Sequence, residues 1–317
     1  MPPTVATRTR ATVTPLFATQ TLVATPPSAK ALAWRALLSQ RKGKRGGPLP
    51  RHTLVRQEVP LDAEHIAHYA AVCGFSPAHG VPMTYPHLLG FPLQLMLMTE
   101  SAFPYPVIGL VHLCNTIRQH RPLTAGERVR VEVRPRRLFQ HARGQAFAIE
   151  TAVVRAGTVV WESLSTYLRV GVASPQGAPL IALPAEQDLS RDGHWDAPAD
   201  TGRRYARVSG DWNPIHVSNL GAKLFGFAHP IAHGMWTKAR ALAALLPAAP
   251  LAQGEVVAEF KTPLSLPGAA TLWQAGEATP GRAFEVRNTA GDKPYLRGVL
   301  TLPQAQQDNT GDRIHAR

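Results

Sequence analysis

Tyr205-Ala-Arg-Val-Ser-Gly-Asp-Trp-Asn-Pro-Ile-His216 is the stretch on which the reading of this 317-residue chain turns. Asn213 followed by Pro214 opens a helix. An Asn side chain caps free amides, and Pro at the first helical position has the right φ and gives up an N–H that would lack a partner anyway. His216 then falls in the first helical turn, with Asp211 just outside it on a turn that Gly210 permits. A carboxylate and an imidazole in one small volume suit a reaction needing two coordinated proton transfers. Taken alone, Asp211 and Asn213 would serve equally well as a turn and a cap.

A second element follows in Gly226-Phe-Ala-His-Pro-Ile-Ala-His233-Gly234-Met235. Gly234 starts a helix carrying Met235, Ala239, Leu242 and Leu246, so its N–H belongs to the unpaired first turn and points along the positive end of the helix dipole. Such an amide can hold an oxyanion, and losing a good donor of this kind costs about 3 to 4 kcal/mol of transition-state energy. His229 and His233 have i, i+4 spacing that suits a metal. Pro230 lies between them and no Cys or Glu completes a set, so neither a metal nor a redox cofactor is expected.

Together these residues resemble the MaoC-like dehydratases, the hydratase 2 family of (R)-specific enoyl-CoA hydratases. The matching positions are Tyr205, Ser209, Gly210, Asp211, Asn213, Pro214, His216, Gly226, Phe227, Ile231, His233, Gly234 and Met235. The resemblance implies an α+β fold of two tandem hot-dog units, each a long central helix wrapped by an antiparallel sheet. It implies Asp211 and His216 as the catalytic pair, with the Gly234 amide polarising a thioester carbonyl. Tyr205, Ser209, Asn213, Phe227, His233 and Met235 are expected to line the substrate. The expected reaction is reversible hydration of 2-enoyl-CoA, the reverse being dehydration of a (R)-3-hydroxyacyl-CoA. Dehydration of carrier-protein-bound 3-hydroxyacyl chains and a non-catalytic acyl-thioester-binding subunit are the alternatives.

Outward from this site, landmarks recur at offsets of 141 to 145: Pro86 and Gly90 with Pro230 and Gly234, Gly109 with Gly254, and Arg121-Pro-Leu123 with Thr262-Pro-Leu264. A duplicated unit of one long helix and four to five antiparallel strands is the economical reading. Each helix is apolar nearly all round and should lie against a sheet. The expected division is a flexible basic arm over 1–50, with a short helix at 31–40, then a first unit over 51–170. A linker over 171–198, a catalytic unit over 199–304 and a flexible tail over 305–317 follow. In the first unit, Cys73-Gly-Phe-Ser-Pro-Ala-His79 has no acid where Asp211 stands, so that half should be catalytically silent. By resemblance, it should help accommodate the acyl chain.

Composition bounds the rest. The net charge is +13, and ten of the excess bases lie in residues 1–57, before the first acid, Glu58. Without interleaved aromatics or a recognisable module, that arm gives no case for nucleic acid. No run approaches the roughly 20 apolar residues of a membrane span. The early Thr-, Ala- and Arg-rich stretch is compatible with an organelle transit peptide, but a cytoplasmic protein is the preferred expectation, and Cys73 and Cys114 read as reduced structural thiols. Arg203, Arg204, Lys223, Lys238 and Arg240 are candidates to meet the phosphates of CoA or a carrier arm. A homodimer is a further expectation.

Overall fold

In the computed structural model, which describes residues 19–42, 46–276 and 281–303, one arrangement of strands occurs twice. The chain runs β1 (Thr19–Leu22), α1 (Ala29–Leu38), β2 (His52–Pro60), α2 (Ala63–Cys73), α3 (Pro86–Thr99), β3 (Leu110–Gln119), β4 (Arg128–His141), β5 (Gly144–Arg155) and β6 (Thr158–Val170). It continues with β7 (Ala178–Pro179), β8 (Ser190–Ala197), α4 (Thr201–Ser209), α5 (Pro214–Val217), α6 (Asn219–Leu224), α7 (Gly234–Leu245), β9 (Gly254–Phe260), β10 (Gly268–Gln274), β11 (Arg282–Arg287) and β12 (Pro294–Thr301).

The first unit has strand order β2-β4-β5-β6-β3 and the second has β8-β10-β11-β12-β9, the same sequence of pairings. The units meet edge to edge where β3 and β9 run antiparallel, from Cys114 opposite Glu259 to Gln119 opposite Gly254. One twelve-stranded sheet therefore passes through the whole molecule. Helix α3 packs on β4 and β5, and α7 packs on β12. This is the expected pair of hot-dog units.

Helix α3 starts at Pro86, with that proline in the first turn and Pro92 inside. An interior Pro costs a helix roughly 3 kcal/mol. Leu88, Leu93, Leu97 and Met98 are all buried, and at about 1.5 to 3 kcal/mol each they outweigh that cost. The helix's buried amide, Gln94, is satisfied on both sides: Nε2 donates to Thr151 Oγ1 at 2.9 Å and Oε1 accepts from the Tyr167 hydroxyl at 2.8 Å.

Two expectations are corrected. The region read as a flexible arm over 1–50 carries structure over 19–42: β1 pairs in parallel with β2 from Thr19 opposite His52 to Leu22 opposite Val55, and α1 buries Leu32 and Ala36 against α3. The stretch read as a linker over 171–198 contains β7, which pairs with β4, and β8, an edge strand on β10. Strand β8 escaped notice because Ser190-Arg-Asp-Gly-His-Trp-Asp-Ala197 turns only Trp195 and Ala197 fully inward. Residues 1–18 of the arm and the tail over 305–317 lie outside the described residues.

Candidate active site

Helix α4 buries Tyr205, Ala206 and Ser209 and exposes Arg203, Arg204 and Arg207. It ends at Gly210 in the left-handed region, φ 75°, a conformation a side chain would resist. The chain reverses there and is pinned locally. Asp211 N–H donates to Ser209 Oγ at 3.2 Å, and Asp211 Oδ1 accepts from Asn213 N–H at 3.2 Å. Asn213 Oδ1 in turn accepts from Ile215 N–H at 3.4 Å, capping α5. The turn and cap read from the sequence are thus the frame that carries the carboxylate.

His216, in the first turn of α5, donates from Nδ1 to the Ile231 carbonyl at 2.7 Å. A carbonyl only accepts, so the neutral ring carries its proton on Nδ1 and leaves Nε2 bare. His233 donates from Nε2 to the Asp211 backbone carbonyl at 3.0 Å and stacks on His216 with ring centroids 3.8 Å apart. One ligating atom from each of Asp211, His216 and His233 lies within 4.8 Å of the others. This donor set could ligate a divalent ion, although one nitrogen of each ring is already committed to a carbonyl. The sequence pairing of His229 with His233 is not the one that the fold makes here.

Burial raises the Asp211 carboxyl above its ordinary range, opposed by His216 and by the Asn213 amide. Burial lowers the His216 imidazole, with Asp211 and the Ile231 hydrogen bond pulling the other way. Each group therefore needs the other to hold charge, and their titrations belong to the pair. Burial also holds His233 well below its ordinary value, with His216 adding to the effect. His233 is then a neutral spacer, locked between the Asp211 backbone and the His216 ring.

Gly234 is the first residue of α7, after His233 as N-cap with no side-chain cap, so its N–H has no partner within the helix. Its Cα faces the Phe260 ring: a Cβ there would lie 2.7 Å from Cδ1. Tyr205 and Met235 are buried, and the Tyr205 ring lies 4.8 Å from His233. Asn213 is exposed at the rim as a cap, and Phe227 is half-buried on the loop before α7. The phosphate candidates divide. Arg203, Arg204 and Lys223 are exposed, whereas Arg240 lies over the Trp195 ring at 5.4 Å. Lys238 is fully buried, donating to Asn115 O at 2.8 Å and Oδ1 at 2.7 Å, and burial lowers its ammonium to about 7.

The sequence reading missed what the first unit brings. His65 Nε2 of the first unit donates to the Val208 carbonyl of α4 at 2.9 Å, and burial raises the Tyr167 phenol on β6. Its ring stacks on His112 at 4.6 Å, and His112 meets Phe260 at 4.9 Å. The site thus sits between the units. The first unit also retains the outline of a second site: Tyr69, Gly74 at φ 78°, Pro77 and His79 stand 136 or 137 positions before Tyr205, Gly210, Pro214 and His216. Phe75 occupies the place of the acid and meets His79 edge-on at 5.3 Å. Phe75 in place of Asp211 removes the acid, Cys73 stands where Ser209 does and Ser76 where Asn213 does, and the missing acid was legible in the sequence.

A family model described as MaoC like domain matches residues 184–262. A curated Mycobacterium tuberculosis protein, 3-hydroxyacyl-thioester dehydratase X, is 38% identical over 258 residues, covering 80% of this chain and 90% of that one. The crystal structure of HtdX from M. tuberculosis aligns with TM-score 0.67 and 34% identity over 79% of this chain and 100% of its own. A MaoC-like dehydratase from Phytophthora capsici shares the fold, with TM-score 0.67 and 19% identity over 82% of this chain and 97% of its own.

Proposed function

The chain belongs to the MaoC-like dehydratases and is a hydro-lyase, and on that premise we propose that it interconverts 2-enoyl-CoA and (R)-3-hydroxyacyl-CoA at the Asp211, His216 and Gly234 constellation. The observation that carries the reading is that a ring nitrogen of His216 and a carboxylate oxygen of Asp211 lie within 4.8 Å of each other, with His216 Nδ1 committed to the Ile231 carbonyl.

In the hydration direction, a water held between carboxylate and imidazole loses a proton to one of them as its oxygen bonds to C3. A proton is returned to C2, and the negative charge that gathers on the thioester oxygen meets the Gly234 N–H. Stabilising charge that exists only in the transition state lowers the barrier without tightening ground-state binding. His216 Nε2 is the nitrogen free to exchange that proton, because Nδ1 is spent on Ile231. Tyr205, Ser209, Asn213, Phe227, His233 and Met235 frame the substrate in this proposal, His233 and Ser209 by holding the Asp211 backbone. The silent first unit receives the acyl chain, and one chain supplies both units, so a homodimer is not needed to complete the site. The reaction as proposed calls for no cofactor beyond the thioester itself.

Loss of enoyl absorbance with crotonyl-CoA and longer 2-enoyl-CoAs tests the proposal. No turnover with any of them, or full activity in Asp211→Asn, would sink it. Carrier-protein-bound chains are the second reading, favoured by the exposure of Trp212, Leu220, Leu224 and Phe225 on the segments that follow α4 and of the bases Arg203, Arg204 and Lys223. Parallel assays with CoA and phosphopantetheinyl-carrier substrates separate the two. A cytoplasmic site of action belongs to the same proposal. Cys73 and Cys114 are free, and burial lifts them to about 12 and about 11, which makes them inert structural thiols. No helix among the described residues is long and apolar enough to cross a membrane.

A further inference from the structure

Helix α1 carries its burial and its chemistry on opposite sides. Leu32, Ala36 and the following Ser39 face the body of the first unit. The opposite face, set by the 3.6-residue period, presents Lys30, Trp34, Leu37 and Leu38, and Arg41 follows in the 3-10 turn Ser39–Lys42. All five are exposed, Trp34 at 62% and Leu37 at 52%. A helix facing water ordinarily turns a mixed polar surface outward. This one turns out a tryptophan and two leucines flanked by bases.

The helix is fixed in place. Ser28 Oγ caps its start by accepting from Ala31 N–H at 3.3 Å. Just beyond its end, Ser39 Oγ accepts from Val107 N–H at 3.0 Å, Gln40 Nε2 donates to Ile108 O at 3.2 Å, and Lys42 Nζ donates to Met98 O at 2.7 Å. The apolar ridge is therefore held out at no further ordering cost when something covers it. Beside it lies a cleft of about 460 Å³ lined by Arg35, Arg41 and Lys42 with Leu38, Met96 and Glu100. Glu100 is the acid of that cleft and pairs with His52 at 3.1 Å. The sequence supplies no acid before Glu58, and Arg8, Arg10, Lys44 and Arg45 add to the same sign.

We propose that the outward face of α1 docks this protein on an anionic phospholipid surface, with Trp34, Leu37 and Leu38 entering the headgroup layer and Lys30 and Arg41 meeting lipid phosphates. Tryptophan favours that boundary because its ring has an apolar body and a polar N–H. Basic residues at an anionic surface each contribute on the order of a kcal/mol. A second copy of the chain fits the face poorly, since Lys30 and Arg41 would meet bases. The inference stands independently of the reaction assigned above.

Co-sedimentation of the full chain with phosphatidylglycerol-rich vesicles and with pure phosphatidylcholine vesicles tests it. The expected result is binding to the first, weakened by salt, and little to the second. Trp34→Ala with Leu37→Ser, and separately Lys30→Glu with Arg41→Glu, should each lower vesicle affinity about tenfold or more. Thioester turnover in solution should stay unchanged, which reports an intact fold. Equal affinity for both vesicle types, wild-type binding by both double variants, or no vesicle binding would overturn the proposal. So would a face that the same variants show to be occupied by a second copy or an acidic carrier protein in place of lipid.

Discussion

Gly234→Ala tests the oxyanion assignment most directly, because the fold sets the size of the effect. The added Cβ would lie 2.7 and 2.8 Å from Cδ1 and Cε1 of Phe260, where ordinary contact begins near 3.4 Å, so about 0.7 Å must be found. The ring has little room to yield: His112 lies against it at 4.9 Å, and β9 is paired on both sides, with Phe260 opposite Leu296 of β12. Much of the shift then falls on the start of α7 and its first amide. An oxyanion donor works at 2.7 to 3.1 Å, and losing one costs roughly 3 kcal/mol, or about a hundredfold in kcat. KM should hardly change, because the interaction matures only in the transition state. Steady-state rates of enoyl-thioester hydration, with thermal melts alongside, give the measurement. Gly234→Ala combined with Phe260→Leu should recover kcat to within about tenfold of the parent, since the smaller side chain frees the space that the methyl needs. Wild-type kcat in Gly234→Ala, or a double variant as slow as the single one, would refute the reasoning.

Asp211→Asn and His216→Gln should each lower kcat by at least about a hundredfold, the lower end of what one proton-transfer group contributes. His79→Gln, in the twin that lacks an acid, should stay within a few-fold of wild type, and equal losses at His79 and His216 would contradict the silent first unit. Because burial raises the Asp211 carboxyl, kcat/KM should fall on acidification beginning above the ordinary carboxylate range; a pH profile flat down to that range would count against an ionised Asp211 in the working state. Lys238→Met should flatten the dependence of stability on pH. With the folded ammonium lowered to about 7, the unfolded chain takes up the proton between that value and its ordinary 10.5. Stability in the parent therefore rises with pH through that window, by about 2 kcal/mol from pH 7 to 9 as an upper bound. Urea midpoints across the range give the slope, and parallel slopes in parent and variant would dismiss the effect.

The site loop was legible because its signals are local. Asn213-Pro214 and Gly210 each act on their own neighbours, and the helix start at Gly234 follows from the apolar pattern after it. The recurrence of Pro86 and Gly90 in Pro230 and Gly234 was equally open to reading, since it needs only offsets. Lys238 was misjudged because its neighbours come from far away. On α7 it reads as one more surface base, and only the joining of β3 to β9 brings Asn115 over it. His233 was expected to touch substrate. Its bond to the Asp211 carbonyl depends on how the α4 turn meets the loop before α7, which no spacing encodes. Strands β1 and β8 were lost for a related reason: each lies at an edge of the sheet, where one partner and half a face suffice and the alternation of apolar residues is weak.

The junction of β3 with β9 has a genetic consequence. If each hot-dog unit were a separate copy of one gene product, every substitution would appear twice, and an aspartate lost from one loop would vanish from both. Joining the units in one reading frame breaks that symmetry while keeping the shared sheet edge. Phe75 can then replace an acid beside His79 without touching Asp211. From that point the two halves are free to accumulate changes independently of each other.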